Sequence, residues 1–161
     1  AEPAQIVLPY MNPQEVTLSS DGKAIVTCSG IIETVNGTTG LATDSGLTFI
    51  DLETRSIVET IDLGEFAASS TVDINGQIWT ASLLKAQITN VKTNSVIVLN
   101  EQSIDSIFRL IELPGRLIAA TSFNTDKLFI FDAEDGRLNP YPFVSPFSLH
   151  SRAASIAPLT A

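Results

Sequence analysis

Asp21-Gly22-Lys23-Ala24-Ile25-Val26-Thr27 decides the fold, because the chain writes this phrase three times. A turn glycine is followed by a long polar residue, an apolar pair and then small residues. The other copies are Asn75-Gly76-Gln77-Ile78-Trp79-Thr80-Ala81 and Pro114-Gly115-Arg116-Leu117-Ile118-Ala119-Ala120. Self-similarity of this kind is the signature of a repeat architecture. A strand-like run precedes each glycine: Glu15-Val16-Thr17-Leu18-Ser19, Ser70-Thr71-Val72-Asp73-Ile74 and Phe108-Arg109-Leu110-Ile111-Glu112. Downstream of each comes an apolar strand that runs into an acidic or amide turn.

The clearest such strand is Leu47-Thr48-Phe49-Ile50-Asp51-Leu52. A polar turn at Glu53-Thr54-Arg55-Ser56 joins it to Ile57-Val58-Glu59-Thr60-Ile61-Asp62-Leu63, which makes a hairpin. Val96-Ile97-Val98-Leu99-Asn100-Glu101-Gln102 and Leu128-Phe129-Ile130-Phe131-Asp132-Ala133-Glu134 read as the same strand and turn. Aligning residues 51, 100 and 132 gives offsets of 49 and 32, and the glycines at 22, 76 and 115 give 54 and 39. Both series bracket the roughly 40–50 residues of a four-stranded propeller blade. Each unit reads as strand, tight turn, strand, variable loop, strand, polar turn, strand. The variable loop covers about residues 29–44 in the first unit and shrinks to 124–126 in the third. The second strands mix apolar and small residues on both faces, as inner strands between neighbouring sheets should.

Bulk properties bound the rest. A chain of 161 residues with 44% hydrophobic and 17% charged residues is one globular domain with a proper core. Nine Lys and Arg against 18 Asp and Glu give a net charge of -9, the wrong sign for nucleic acid or an anionic membrane. No apolar run approaches the roughly 20 residues of a membrane-spanning helix. Cys28 is the one cysteine and reads as a small buried hydrophobe. The opening Ala1-Glu2-Pro3-Ala4 reads as a mature end left after removal of a signal peptide, which implies export to the periplasm or cell exterior. Asn36-Gly37-Thr38 fits both a glycosylation sequon and a tight turn.

The residues 45–54 and 57–64 resemble the YVTN-type β-propeller repeat, as does Pro13-Gln14-Glu15-Val16-Thr17-Leu18-Ser19-Ser20-Asp21-Gly22-Lys23. The resemblance covers most of the chain. It is strongest in the first unit and loosest around residues 86–93, and the third unit departs at Asn139-Pro140-Tyr141-Pro142. Proline there fits only an outer edge strand. The resemblance implies an all-β propeller segment of about three four-stranded antiparallel blades. Its family includes surface-associated proteins, periplasmic binding proteins, lactonase-like hydrolases and subunits of redox enzymes.

The expected organisation is a single partial propeller domain over residues 1–161, with units at 13–64, 67–107 and 108–147. Gln5-Ile6-Val7-Leu8, within residues 1–12, resembles the outer strand of a preceding blade. Ala154-Ser155-Ile156-Ala157-Pro158-Leu159, within residues 148–161, resembles the inner strand of a following one. A partner protein, a second copy or further sequence would then complete the ring.

Candidate chemistry is sparse. His150 is the one histidine and lies in a Pro- and Ser-rich connection, and no Gly-x-Ser-x-Gly elbow occurs. Asp132-Ala133-Glu134-Asp135-Gly136 has the look of a calcium loop but lacks the terminal glutamate, and it falls where the other units turn. Asp51 with Glu53, or Asp62 with Glu65, are read as turn formers rather than paired catalytic carboxylates. Trp79 is read as core, with ligand stacking as the alternative. The loop at residues 30–45 is read first as a flexible insertion, and it is also the best candidate binding surface. No catalytic, cofactor-binding or metal-binding residue is assigned. The favoured reading is a non-catalytic, exported binding or scaffolding subunit acting through protein–protein contact. The alternative is a fragment of a propeller enzyme, lactonase-like or redox, whose catalytic residues lie on other blades.

Overall fold

The computed structural model describes residues 5–64, 66–73, 75–82, 87–94, 96–98, 107–122, 127–134, 137–140 and 147–148. The chain divides into two compact units, Ala1–Phe66 and Ala67–Ala161. Among the described residues every regular element is a β-strand.

The first unit holds β1 (Pro13–Leu18), β2 (Lys23–Cys28), β3 (Ile32–Val35), β4 (Thr38–Leu41), β5 (Gly46–Asp51) and β6 (Ser56–Asp62). Its four-stranded sheet runs β1-β2-β5-β6, an antiparallel meander, while β3 and β4 pair as a separate hairpin. Burial falls across the sheet as the sequence demands. The second and third strands, with apolar or small residues at nearly every place, are buried throughout except at their turn ends. The outer strand β6, rich in Glu, Thr and Asp, is almost wholly exposed. One face of β2 and β5 carries Ala24, Val26, Cys28 and Ile50, and Leu8 and Tyr10 pack onto that face. Residues 5–8 form no strand, against expectation. No described strand lies alongside to supply a ladder, so Leu8 is held by its side chain instead. The segment joins the sheet only at Met11 and Asn12, whose carbonyls accept from the Gly30 and Ser29 amides.

The second unit holds β7 (Ala67–Val72), β8 (Ile78–Ser82), β9 (Gln87–Asn90) and β10 (Val96–Val98), ordered β10-β9-β8-β7. It continues with β11 (Ile107–Leu113), β12 (Leu117–Ser122), β13 (Lys127–Glu134), β14 (Arg137–Pro140) and β15 (Phe147–Ser148). Here β11-β12-β13-β14 repeats the meander, and β15 pairs with the other end of β13. Pro140 does fall in an outer strand, β14, opposite Phe131. The two sheets share one core of Trp79, Ala81, Ile88, Ile107, Leu110, Ile118, Ala120, Phe131 and Ala133, and the Leu110 amide donates to Ser69 Oγ at 2.9 Å. The terminal segment at 154–159 lies outside the described residues.

Two readings of the repeat need correction. The third strand of the second sheet is Gln87–Asn90, and Val96–Val98 is its fourth strand, pairing with β9. Asn90, not Asn100, is therefore the counterpart of Asp51. Asp51 Oδ1 accepts the Thr54 amide at 2.7 Å, and Asn90 Oδ1 accepts the amide of Thr93, also three residues on, at 3.0 Å. Arg55 and Asn94 then both turn left-handed, at φ 55° and 54°. Asp132, by contrast, pairs with Asn139 inside the ladder, and the third hairpin reverses between Glu134 and Arg137.

The glycine turns are also not all alike. Gly22 and Gly76 close three-residue turns, with the Gly22 amide bonded to Ser19 O and the Gly76 amide to Asp73 O. The third turn is pinned by the Leu113 to Leu117 pair, which puts Gly115 one place earlier. Arg116, at φ 62°, occupies the left-handed place that glycine fills in the other two.

Candidate functional site

The carboxylate of Asp73, just past the end of β7, accepts three hydrogen bonds. Its Oδ1 accepts the amides of Asn75 and Gln77, each at 2.9 Å, and its Oδ2 accepts the indole Nε1 of Trp79 at 3.0 Å. Asp73 is buried, and Trp79 has no exposed surface. The core reading of Trp79 therefore holds. Its polar edge is satisfied inside the sheet, as a buried indole requires.

Strand β11 lies against β7 and brings Glu112 towards Asp73. Partial burial, then the charge of Asp73, pushes the Glu112 carboxyl above the ordinary glutamate range. Asp73 has both oxygens committed to hydrogen bonds. The sequence quoted Glu112 only as a strand residue. Its approach to Asp73 depends on how two first strands lie together, which no local pattern reports.

The other candidates serve the fold. Cys28 is fully buried in β2, and desolvation raises its thiol pKa. Asp51 caps its hairpin through the Thr54 amide and hydroxyl, bonds that hold its carboxyl below the usual range. Asp62 accepts the Gly64 amide at 3.0 Å, while Glu65 lies outside the described residues. Asp132 faces Arg116: Nη2 donates to Oδ2 at 2.9 Å, and Nε stands 2.6 Å from Oδ1 but off the hydrogen-bond line. His150 lies outside the described residues. Among those described, no three or more His, Cys, Asp or Glu side chains converge as metal ligands.

The loop at residues 30–45 is more ordered than a flexible insertion. Asn36 and Gly37, at φ 53° and 79°, form a two-residue turn between β3 and β4, closed by the Val35 to Thr38 pair. Positive φ at both central places is the type I′ geometry that favours Asn-Gly. The arm is rooted by the Ala42 amide on Ile31 O at 2.7 Å and the Ile31 amide on Thr43 Oγ1 at 2.8 Å. Ile31 and Val35 are 38% and 61% exposed, so the arm presents apolar side chains to solvent.

Three four-stranded antiparallel meanders, the first with a buried middle and an exposed fourth strand, point to one architecture. The Dos1 propeller matches over 86% of this chain and 34% of its own, at a TM-score of 0.56 and 12% identity. The Cps50 (Swd1) β-propeller domain of Myceliophteria thermophila matches over 83% and 39%, at 0.53 and 12%. The chain is a β-propeller segment. It spans between a third and two-fifths of the length of these solved propellers. At such identity the likeness fixes the fold alone. No protein-family model matches the sequence, and no curated protein does. Among the described residues no helix is long and apolar enough to cross a membrane.

Proposed function

We propose that this propeller segment is a non-catalytic binding or scaffolding subunit of YVTN-repeat type, exported to the periplasm or cell exterior, whose ligand is another protein. The observation that carries the reading is the β3–β4 arm. An irregular connection has been given its own two-stranded ladder and displays Ile31 and Val35 to solvent. Exposed apolar residues on a built scaffold mark protein contacts.

A second supporting feature concerns completion of the ring. Val16 and Leu18 of β1 pair with Val26 and Ala24, so they share the apolar face of the first sheet, yet they are 62% and 68% exposed. A neighbouring blade, from a partner chain, a second copy or further sequence, would cover them.

Replacing residues 32–41 by a short Gly-Ser link tests the reading, because Ile31 and Ala42 already meet at the root. The variant should keep the β-rich circular dichroism of the parent while the mass measured by light scattering, with any co-purifying chain, falls. An unchanged assembly would sink the arm as contact surface. Fractionation of the native cells tests export.

A propeller-enzyme reading, with Glu112 of this chain rather than a residue of another blade as the catalytic group, is favoured by the partly buried Glu112 carboxyl facing the charge of Asp73. It requires that Glu112→Gln abolish a hydrolytic activity, such as lactone opening, that the parent possesses.

A further inference from the structure

We infer that Asn36, at the tip of the β3–β4 arm, is a site of self-catalysed backbone modification through succinimide formation, and that the chain's other Asn-Gly pair is protected by its own fold. Two Asn-Gly dipeptides occur, Asn36-Gly37 and Asn75-Gly76. Both asparagines are exposed, so solvent access does not separate them.

The reaction is intramolecular. The backbone nitrogen of Gly37 attacks Cγ of Asn36, forming an N–Cγ bond. The Cγ–Nδ2 bond breaks, and Nδ2 leaves as ammonia carrying the proton that the amide gave up. Water then opens the succinimide at either carbonyl, giving aspartate or isoaspartate. Glycine in the second place favours attack because no side chain crowds the nitrogen, and the space where a Cβ of Gly37 would stand is empty.

What distinguishes the two sites is the nucleophile. The Gly76 amide donates to Asp73 O at 2.8 Å, and the Asn75 amide is held by Asp73 Oδ1 at 2.9 Å. Attack there requires breaking the turn that also seats Trp79. Among the described residues no hydrogen bond holds the Gly37 N–H. The arm is moreover a free two-stranded ribbon, and such hairpins are marginal in water and open locally at little cost. The left-handed backbone of Asn36 must relax before Cγ meets the nitrogen, and this ribbon allows it.

Opening to aspartate adds one negative charge to an arm that already carries Glu33, in a chain of net charge -9. Opening to isoaspartate inserts a methylene into the main chain and removes the two-residue turn that pairs Val35 with Thr38. Either product changes the arm tip, whatever that arm contacts.

The sequence supplies its own control. Cleavage after Lys23, Arg55 and Lys85 isolates residues 24–55 and 56–85, each with a single asparagine, 36 or 75. The purified chain is held folded at mildly alkaline pH, and a second sample is held in denaturant. Both are then digested and the conversion of each peptide is followed by mass and by isoaspartate content. In the folded sample Asn36 should convert about an order of magnitude faster than Asn75, and in denaturant the two rates should converge. Folded Asn75 converting as fast as Asn36 would overturn the inference. So would an Asn36 that stays intact when folded but converts when unfolded, or a glycan attached to its Nδ2.

Discussion

Asp73 and Trp79 are joined by a single buried hydrogen bond, 3.0 Å from the indole Nε1 to Oδ2, and the same carboxylate closes the turn between their strands. One side chain thus sets both the turn and the seat of the largest residue in the second unit's core. Asp73→Ala leaves the indole and two turn amides without their acceptor. The expected loss is about 2–4 kcal/mol, from the cost of stranding buried donors, read from urea unfolding followed by tryptophan fluorescence. Asp73→Asn keeps an acceptor for the turn and should cost less. Equal losses for the two variants would show that charge, not hydrogen bonding, is what matters.

Arg116 is expected to tolerate glycine better than alanine. At φ 62° it bears the strain of a left-handed non-glycine residue, about 1 kcal/mol, while its half-exposed ion pair with Asp132 contributes up to about 1 kcal/mol. Arg116→Gly removes both and should be nearly neutral in urea midpoint. Arg116→Ala keeps the strain and loses the partner, and should be measurably destabilised.

Glycines 22 and 30 should separate in the same assay. Gly22→Ala meets open space and only a positive φ, costing about 1–2 kcal/mol. Gly30→Ala meets in addition the Thr43 carbonyl oxygen at 2.5 Å and that of Asp44 at 3.0 Å, both main-chain atoms that cannot swing aside. It should be the more damaging of the two and should loosen the root of the arm.

Cys28 should resist alkylation until the first unit unfolds, because its thiol is fully buried and desolvation disfavours the reactive thiolate. Rapid labelling of the native chain would show that β2 opens readily.

Glu112 should leave a mark on the pH dependence of stability. Its pKa is raised by burial, then by Asp73, so the folded state binds the proton more tightly than the unfolded chain. Its contribution is fully present below the unfolded value and is lost as pH rises through the folded one. Glu112→Gln should be no less stable than the parent at neutral pH, and should flatten the curve as pH rises above the ordinary glutamate range. An unchanged curve would mean that the carboxyl is fully solvated.

The strand order was legible because turn chemistry is local. Gly22 and Gly76 mark their turns, and the run from Leu47 to Ile50 is buried as its apolar pattern requires. The reading failed where a strand is short and polar. Gln87-Ile88-Thr89-Asn90 carries one large apolar residue and was passed over for the stronger Val96-Ile97-Val98. The missed signal was the match of Asn90-Val91-Lys92-Thr93 to Asp51-Leu52-Glu53-Thr54, whose first members hold the same turn amide. The Asn36-Gly37 turn was visible, but reading its flanks as a loop hid the β3–β4 ladder. Asp73 and Glu112 were both on the page as letters. Their meeting is set by the packing of one strand on another, across 39 residues of chain.

Tyr10 and Gly46 share one volume. The ring lies where a Cβ at position 46 would be built, and the Ile61 carbonyl closes the space from the other side at 2.7 Å. Position 46 therefore cannot gain a side chain alone. Among descendants of this sequence, a side chain gained at 46 should appear only with a shrunken residue at 10, so the history of the first sheet would be recorded as a correlated pair rather than as two conserved sites.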